Sequence, residues 1–112
     1  MIKIWSNIEK IQLLYDLVYA LQQAKLLYGF QHNDIYYGNI RVKPNILIDF
    51  GFSTIDENMD DKNRKTFKGK DLLSFNQLVD YMGLPYKSVI KLQSKNILYD
   101  TLLDKMLLLF EI

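Results

Sequence analysis

Four polar side chains between positions 32 and 49 are the ones in this sequence that could do chemistry together. His32, Asp34 and Asn39 follow one another closely, and Asp49 comes after a short apolar stretch. Burying polar groups costs free energy unless they find partners, so polar residues set between apolar segments indicate a site. Asp34 is a lone carboxylate in a tight loop, two residues after a histidine that could hold the shape of that loop. We therefore expect Asp34 to act as a proton acceptor.

Asn39 and Asp49 are the candidate metal ligands. Asn39 offers a neutral amide oxygen, and Asp49 offers a carboxylate at the end of a predicted strand. Brought together across a hairpin, they are hard oxygen ligands suited to Mg²⁺, which usually retains waters and also binds substrate phosphates. A base beside a metal-bound phosphate is the arrangement of a phosphoryl-transfer site.

The first element that must position these residues is a long helix near the start of the chain. Ser6 and Glu9 have the spacing of a capping box, in which two side chains satisfy free backbone amides at a helix N-terminus. Apolar residues then recur at steps of three and four, which is the period of one helix face. The pattern predicts a helix from about Asn7 to Leu27, which Gly29 ends.

A loop and a small hairpin are predicted between the first helix and Asp49. Residues 32–39 have no hydrophobic period, which is typical of a loop. The β-branched runs at 40–42 and 46–48 are joined by Lys-Pro-Asn, and this pattern predicts a hairpin. Asp49 follows directly on the second strand, so the hairpin would determine where its carboxylate lies.

The second half of the chain is predicted to be a polar segment followed by helices. Residues 54–69 are rich in charge, and we interpret them as an exposed, mobile segment. A helix is predicted from about Asp71 to Met82, and a short helix near Lys87 to Gln93 is compatible with the sequence. Asn96 could cap a last helix from Ile97 to Phe110, which is apolar over most of its surface and is therefore expected to be buried or paired.

Two stretches of the chain resemble motifs of the protein-kinase-like superfamily. Residues 32–40, HNDIYYGNI, resemble its catalytic loop, and residues 49–51, DFG, resemble its metal-binding tripeptide. The order of helix, loop, hairpin and tripeptide is also that of the C-terminal lobe of a kinase. The resemblance implies a mainly α fold with one small β-hairpin at 40–48, in a single partial kinase-like domain over residues 1–112.

The resemblance implies a role for three of the polar residues. Asp34 would be the catalytic base toward the acceptor hydroxyl, while Asn39 and Asp49 would bind Mg²⁺ and, through it, the phosphates of ATP. Simpler interpretations stay open beside these roles. Asp34 could be a loop-capping aspartate, Asn39 a turn residue and Asp49 a cap at the end of a strand.

Three further residues would support the site by resemblance: His32, Gly51 and Asp71. A lone histidine is more often structural than catalytic, so we favour a structural role for His32. Asp71 opens an apolar helix after a polar segment and resembles the buried aspartate that anchors the catalytic loop in these enzymes. It can equally be a plain helix N-cap.

The chain also departs from the family pattern. Its five glycines form no glycine-rich phosphate loop, and no strand with a phosphate-binding lysine precedes the first helix, so we expect the N-terminal lobe to be absent. Asn33 replaces the arginine before the catalytic aspartate, so control by a phosphorylated activation loop is not expected. Tyr36 replaces the usual lysine. Gly38 and Asn39, with the short hairpin, are similar to small-molecule kinases of the aminoglycoside and choline type and to divergent viral kinases.

Composition and charge limit the class of protein and its partners. A chain of 112 residues with 49% hydrophobic content is at most one domain, with enough apolar residues for a core. The net charge of +1 gives no reason to expect nucleic acid as a partner, and the absence of cysteine fits a reducing compartment. We find no apolar run that could span a membrane and no secretory signal, so we expect a cytoplasmic protein, in the host cytoplasm if it is viral.

Two functions of different classes follow from these expectations. The first is a kinase-like phosphotransferase that moves the γ-phosphoryl group of ATP to a hydroxyl of a protein serine or threonine, or of a small alcohol. The second is a catalytically inactive kinase remnant, a pseudokinase, that acts as a binding module. In either case, apolar faces left open by the missing lobe should favour self-association or a partner chain that supplies that lobe.

Overall fold

The computed structural model describes residues 5–42, 45–84 and 96–110, and in these ranges helices combine with two-stranded antiparallel sheets. The helices are α1 (Asn7–Tyr28), α2 (Asp61–Arg64), α3 (Gly69–Met82) and α4 (Tyr99–Leu109). The strands are β1 (Phe30–Gln31), β2 (Ile40–Arg41), β3 (Ile46–Leu47), β4 (Thr54–Ile55), β5 (Thr66–Phe67) and β6 (Ile97–Leu98). Among the described residues, the single predicted hairpin is therefore one of three small sheets, in which β1 pairs with β4, β2 with β3, and β5 with β6.

Helix α1 begins and ends where its sequence predicts. The Ser6 hydroxyl accepts a hydrogen bond from the Glu9 backbone N–H at 3.2 Å, and the Glu9 carboxylate accepts one from the Ser6 N–H at 3.0 Å. Both bonds satisfy amides that have no partner within the helix. At the other end Gly29 adopts the left-handed conformation with φ of 64°, which costs glycine little. The predicted helix is confirmed and extends one residue further, to Tyr28.

Gly29 also lies where two backbone segments approach each other closely. A Cβ atom built on Gly29 would be 2.0 Å from the carbonyl oxygen of Asp56, so only glycine fits. The Asp56 N–H donates to the Gly29 carbonyl at 3.1 Å, next to the pairing of β1 with β4. The sequence predicted the helix end but not this contact, because two-residue strands that are distant in the chain have no periodic signal.

The predicted hairpin is confirmed as the antiparallel pair β2–β3, with Ile40 opposite Leu47. Residues 43–44 of its predicted turn lie outside the described ranges. The Asp16 carboxylate on α1 accepts a hydrogen bond from the Asn45 side-chain amide at 2.9 Å, and one from Gln12 at 2.9 Å. The hairpin is thus fixed to α1 by a side-chain contact as well as by packing.

The segment 54–69, interpreted from the sequence as exposed and mobile, contains β4, α2 and β5. Asp60 caps α2 by accepting the Asn63 N–H at 2.8 Å. The Arg64 guanidinium donates to the carbonyls of Leu26, Glu57 and Met59 at 2.7–3.0 Å. The planar guanidinium of Arg64 therefore joins this segment to α1. The number of charged residues in the segment does not indicate such a contact.

The last helix is shorter than predicted, and this prediction was wrong at its start. Ile97 and Leu98 form strand β6, which pairs with β5, and α4 begins only at Tyr99. Leu98 occupies the N-cap position of α4, so Asn96 is not the cap, and the Tyr99 N–H donates to the Lys65 carbonyl at 3.0 Å. The expectation that this helix is buried or paired holds for one face, because Leu102 and Met106 are fully buried whereas Leu108 is 63% exposed. The suggested helix at 87–93 lies outside the described ranges.

The core lies where α1, α3 and α4 pack together. Helix α3 buries the apolar face predicted for it and starts two residues earlier than expected, at Gly69. The Phe67 ring is fully buried and stacks on Tyr99, with 4.9 Å between ring centroids, so β5 is part of the core. Among the described residues, no helix is long and apolar enough to cross a membrane. Among the most deeply buried apolar side chains are Ile11, Leu13, Leu14, Leu17, Val18, Phe75, Val79, Met82, Leu84, Leu102 and Met106.

Candidate functional site

The Asp71 carboxylate holds the backbone of the loop that contains Asp34. It is 3% exposed, and its two oxygens accept the N–H groups of His32 at 3.0 Å and of Asn33 at 2.7 Å. Asp71 lies in the first turn of α3, whereas Lys68 occupies the N-cap position. The plain N-cap interpretation therefore does not describe Asp71, because its carboxylate bonds to a segment almost forty residues earlier in the chain.

His32 is fully buried and links this loop to the hairpin. Its Nδ1 atom accepts the Asp34 N–H at 3.2 Å, which assigns the ring proton to Nε2. Nε2 then donates to the Ile48 carbonyl at 2.9 Å. The ring also packs edge-on against Phe30 and Phe50, with centroids 6.4 Å and 5.5 Å away. These contacts give His32 a positioning role, because both ring nitrogens are occupied by backbone groups.

Asp34 and Asn39 form a direct pair. The Asn39 side-chain nitrogen Nδ2 donates to the Asp34 carbonyl at 2.9 Å and to Asp34 Oδ2 at 3.0 Å. Asn39 is 4% exposed, whereas Asp34 is half-buried. The pair uses the nitrogen of the amide and one oxygen of the carboxylate. Asn39 Oδ1 and Asp34 Oδ1 take no part in this contact. Asn39 Oδ1 could therefore bind a cation, and Asp34 Oδ1 could accept a proton.

Asp49 follows Ile48, the residue through which the hairpin bonds to both Asn39 and His32. The Ile48 N–H donates to the Asn39 carbonyl at 2.9 Å, while the Ile48 carbonyl accepts the bond from His32. Asp49 itself is exposed and has a φ of 60°, a left-handed conformation that is uncommon outside glycine. Its carboxylate accepts the Gly51 N–H at 3.3 Å. Ile48 thus links the two candidate metal ligands through the backbone.

Gly51 allows the Asp49 carboxylate to fold back over it. A Cβ atom on Gly51 would be 3.3 Å from Asp49 Oδ1, which is closer than an ordinary van der Waals contact. The backbone of Gly51 is not in the left-handed region, so space rather than conformation favours glycine here. A larger residue would press on the side chain that is proposed to bind metal.

Asn33 makes a contact that the sequence did not suggest. Its backbone has a φ of 68°, and its side-chain nitrogen donates to the Phe52 carbonyl at 3.0 Å and to the Thr54 hydroxyl at 3.3 Å. Sequence reasoning treated Asn33 only as the residue that replaces an arginine. Asparagine tolerates the left-handed conformation, which was the available signal for a special backbone position. Asn33 joins the loop to the residues that follow the DFG tripeptide.

Two buried ionisable residues lie close enough to Asp71 to sense its charge. Lys25 is 1% exposed, and its ammonium donates to the Thr66 carbonyl at 2.6 Å. Burial lowers the pKa of Lys25, and the charge of Lys68 lowers it further, while Asp71 acts in the opposite direction. Burial raises the pKa of Tyr99, and the Asp71 carboxylate adds to that rise. No sequence pattern indicated Lys25 or Tyr99, because both residues belong to predicted helices and face the core.

A cleft of about 320 Å³ opens beside Asp34. Its lining residues are Asn33, Asp34, Phe52, Lys70, Leu73 and Ser74. Asn39 and Asp49 are not among them. Asp34 is therefore shared between this cleft and the pair with Asn39, which places a carboxylate between a candidate metal ligand and an open space.

No family model, curated protein or solved structure matches this chain. Within the described ranges, no group of three or more histidine, aspartate or glutamate side chains converges on a position that could hold a metal ion. The candidate metal ligands, Asn39 and Asp49, are one amide and one carboxylate, so they do not make up a group of three such side chains. Their assignment as a metal site stays a prediction.

Proposed function

We propose that this chain is the C-terminal-lobe part of a kinase-like phosphotransferase, which transfers the γ-phosphoryl group of ATP to a hydroxyl. The observation that carries the proposal is the Asp34–Asn39 pair, held in a loop whose backbone amides are bound by the buried Asp71 carboxylate. A loop fixed in this way positions a base through a contact from the distant helix α3 as well as through its own short-range contacts. Such positioning accounts for much of the catalysis of phosphoryl transfer.

In the proposed reaction Asp34 accepts the proton of the acceptor hydroxyl. The acceptor oxygen then forms a bond to the γ-phosphorus, and the bond from that phosphorus to the bridging oxygen of ADP breaks. The hydrogen bond from Asn39 Nδ2 to Asp34 Oδ2 fixes the carboxylate plane and leaves Oδ1 to meet the hydroxyl. His32, which bonds both the Asp34 N–H and the hairpin, maintains the distance between the base and the tripeptide.

The donor atoms of Asn39 and Asp49 suit Mg²⁺. Both present hard oxygens, and two protein ligands are enough for an ion that completes its shell with water and phosphate oxygens. Asp49 is exposed, so its carboxylate is accessible to a nucleotide-bound ion. When bound there, Mg²⁺ would offset the negative charge of the phosphates.

Substitutions at the two aspartates test this assignment. Asp49→Asn should abolish metal-dependent nucleotide binding, whereas Asp34→Asn should preserve binding and lose turnover. Binding is measured by titrating a fluorescent ATP analogue with Mg²⁺ and again with a chelator. Turnover is measured with protein and small-alcohol acceptors, in the chain alone and with any sequence encoded upstream. Asp104→Asn makes the same chemical change at an exposed position on α4 and should alter neither. Equal loss of binding in both site variants would contradict the assigned roles.

An inactive remnant that works as a binding module is the second candidate. The observation that favours it is an apolar groove of about 330 Å³ between α1 and the hairpin, with Phe50 at its edge, 56% exposed. The occupant proposed for this groove is a chain that supplies an N-terminal lobe. Nucleotide binding that persists in Asp49→Asn, without turnover under any condition, would favour the binding module over the enzyme.

A further inference from the structure

The cleft beside Asp34 has the features of a subsite for the acceptor. Asp34 is the proposed base and lines the cleft, but neither candidate metal ligand does. The other walls come from α3, which contributes Lys70, Leu73 and Ser74, and from Phe52 after the tripeptide. An acceptor hydroxyl could therefore reach Asp34 from this side without crossing the proposed position of the metal.

Lys70 supplies a positive charge to the lining of this cleft. It is exposed, and within residues 5–42, 45–84 and 96–110 its ammonium forms no hydrogen bond or ion pair. Its neighbours in the chain are engaged elsewhere. The Lys68 ammonium donates to the Asn63 side chain, and the Asp71 carboxylate accepts the two loop amides. The charge of Lys70 is thus available to a ligand.

The remaining walls favour an extended ligand over an enclosed one. Leu73 is 62% exposed and Phe52 is 70% exposed, so the apolar surface of the cleft is open to solvent. Small-molecule sites usually enclose most of their ligand, which this cleft cannot do. A peptide lying across the surface would cover Leu73 and Phe52 while directing one side chain inward.

We infer that the cleft binds a peptide acceptor whose serine or threonine reaches Asp34 and whose neighbouring acidic side chain pairs with Lys70. This inference rests on the proposed function, which it refines by naming the acceptor class. Asp34 would repel an acidic group placed beside it, so the acidic side chain must lie toward α3. Lys70 is then the residue that determines specificity.

Binding of three matched peptides tests the inference without requiring turnover. The peptides carry one serine flanked by aspartate, by asparagine or by lysine, and their affinities are measured by fluorescence anisotropy on the full chain. The unmodified chain should bind the aspartate-flanked peptide best. Lys70→Gln should weaken that binding by about two- to fivefold, the usual size for an exposed ion pair. Lys70→Glu should reverse the preference toward the lysine-flanked peptide.

Lys62 provides the matched control, because it is exposed on α2 and does not line the cleft. Lys62→Gln and Lys62→Glu should leave all three affinities unchanged. The inference is overturned if the unmodified chain binds none of the peptides or binds them equally. It is also overturned if the Lys62 variants respond as the Lys70 variants do. Mg²⁺-dependent ATP binding, measured on the same samples, reports separately on the proposed function, because Asp49 does not line this cleft.

Discussion

Asp71 shows how one buried side chain can fix the backbone of a loop. The sequence identified it as a candidate anchor but left it equally open as a helix cap. The structure gives both carboxylate oxygens to the backbone of residues 32 and 33. A carboxylate buried without partners would be costly, so its two bonds to the loop are required for stability as well as for positioning.

Asp71→Asn should destabilise the fold by about 3 kcal/mol, because an amide has one acceptor oxygen and leaves a loop N–H facing its own donor. The free energy of unfolding from urea titration measures the loss. Asp104→Asn, at an exposed site, should cost almost nothing. Similar losses in the two variants would show that Asp71 is not bound to the loop as described.

Tyr99 should make stability fall at high pH. Its pKa is raised in the folded state by burial and by Asp71, from an ordinary value of 10.0. Above that pH the unfolded chain releases the Tyr99 proton while the folded chain retains it, so the free energy of unfolding decreases as pH rises. Tyr99→Phe should therefore have a flatter decline above pH 10 than the unmodified chain, as measured by urea unfolding at several pH values. Parallel curves would contradict the burial of an ionisable hydroxyl at this position.

At the scale of elements, the sequence predicted what depends on neighbours in the chain. The capping box, the left-handed glycine and the apolar period determined α1, and the β-branched runs determined the hairpin. The pairs β1–β4 and β5–β6 were missed because each strand has two residues and its partner is distant. The apolar pattern at Ile97 and Leu98 is compatible with a helix, but in the structure these two residues form strand β6 and pair with β5.

Gly29→Ala should be markedly more destabilising than the same change at Gly83. Both glycines have similar positive φ values, 64° and 65°, so alanine meets the same backbone strain at each. At Gly29 the new Cβ would lie 2.0 Å from the Asp56 carbonyl oxygen, whereas at Gly83 no atom of the described residues lies within 4 Å of it. Gly83→Ala should cost about 1 kcal/mol, and Gly29→Ala at least about 2 kcal/mol more because it separates β1 from β4. Equal costs, measured by thermal and urea unfolding, would mean that the close approach does not exist in solution.

For the molecule as a whole, the residues of the candidate site could be proposed from the sequence, whereas most of the contacts that hold these residues in place could not. Residue types and spacing made Asp34, Asn39 and Asp49 the candidates, because a motif records which atoms the proposed chemistry needs, and their roles stay a prediction. The hydrogen bonds of Asn33, Arg64 and Lys25 join segments that are distant in the chain and meet only after folding. The kinase interpretation itself stays a prediction, supported by the arrangement of these residues.

These 112 residues alone should transfer phosphate at no useful rate. Their five glycines form no glycine-rich loop motif, and within residues 5–42, 45–84 and 96–110 no strand contains a lysine, so we expect nothing there to fix the γ-phosphoryl group in line with a hydroxyl over Asp34. A phosphotransfer assay with Mg²⁺, ATP and both classes of acceptor measures this. Robust turnover that disappears in Asp34→Asn would show that a second lobe contributes less than we expect.

The central claim, that Asn39 and Asp49 together hold a divalent cation beside Asp34, can be tested without any reaction. Mn²⁺ added with ATP broadens the NMR signals of nuclei near the ion, so the affected backbone amides locate the site. We predict that the amides of Asn39, Ile48 and Asp49 broaden first, that Asp49→Asn removes this effect, and that Asp104→Asn does not. Broadening centred elsewhere, or unchanged at these amides in Asp49→Asn, would contradict it.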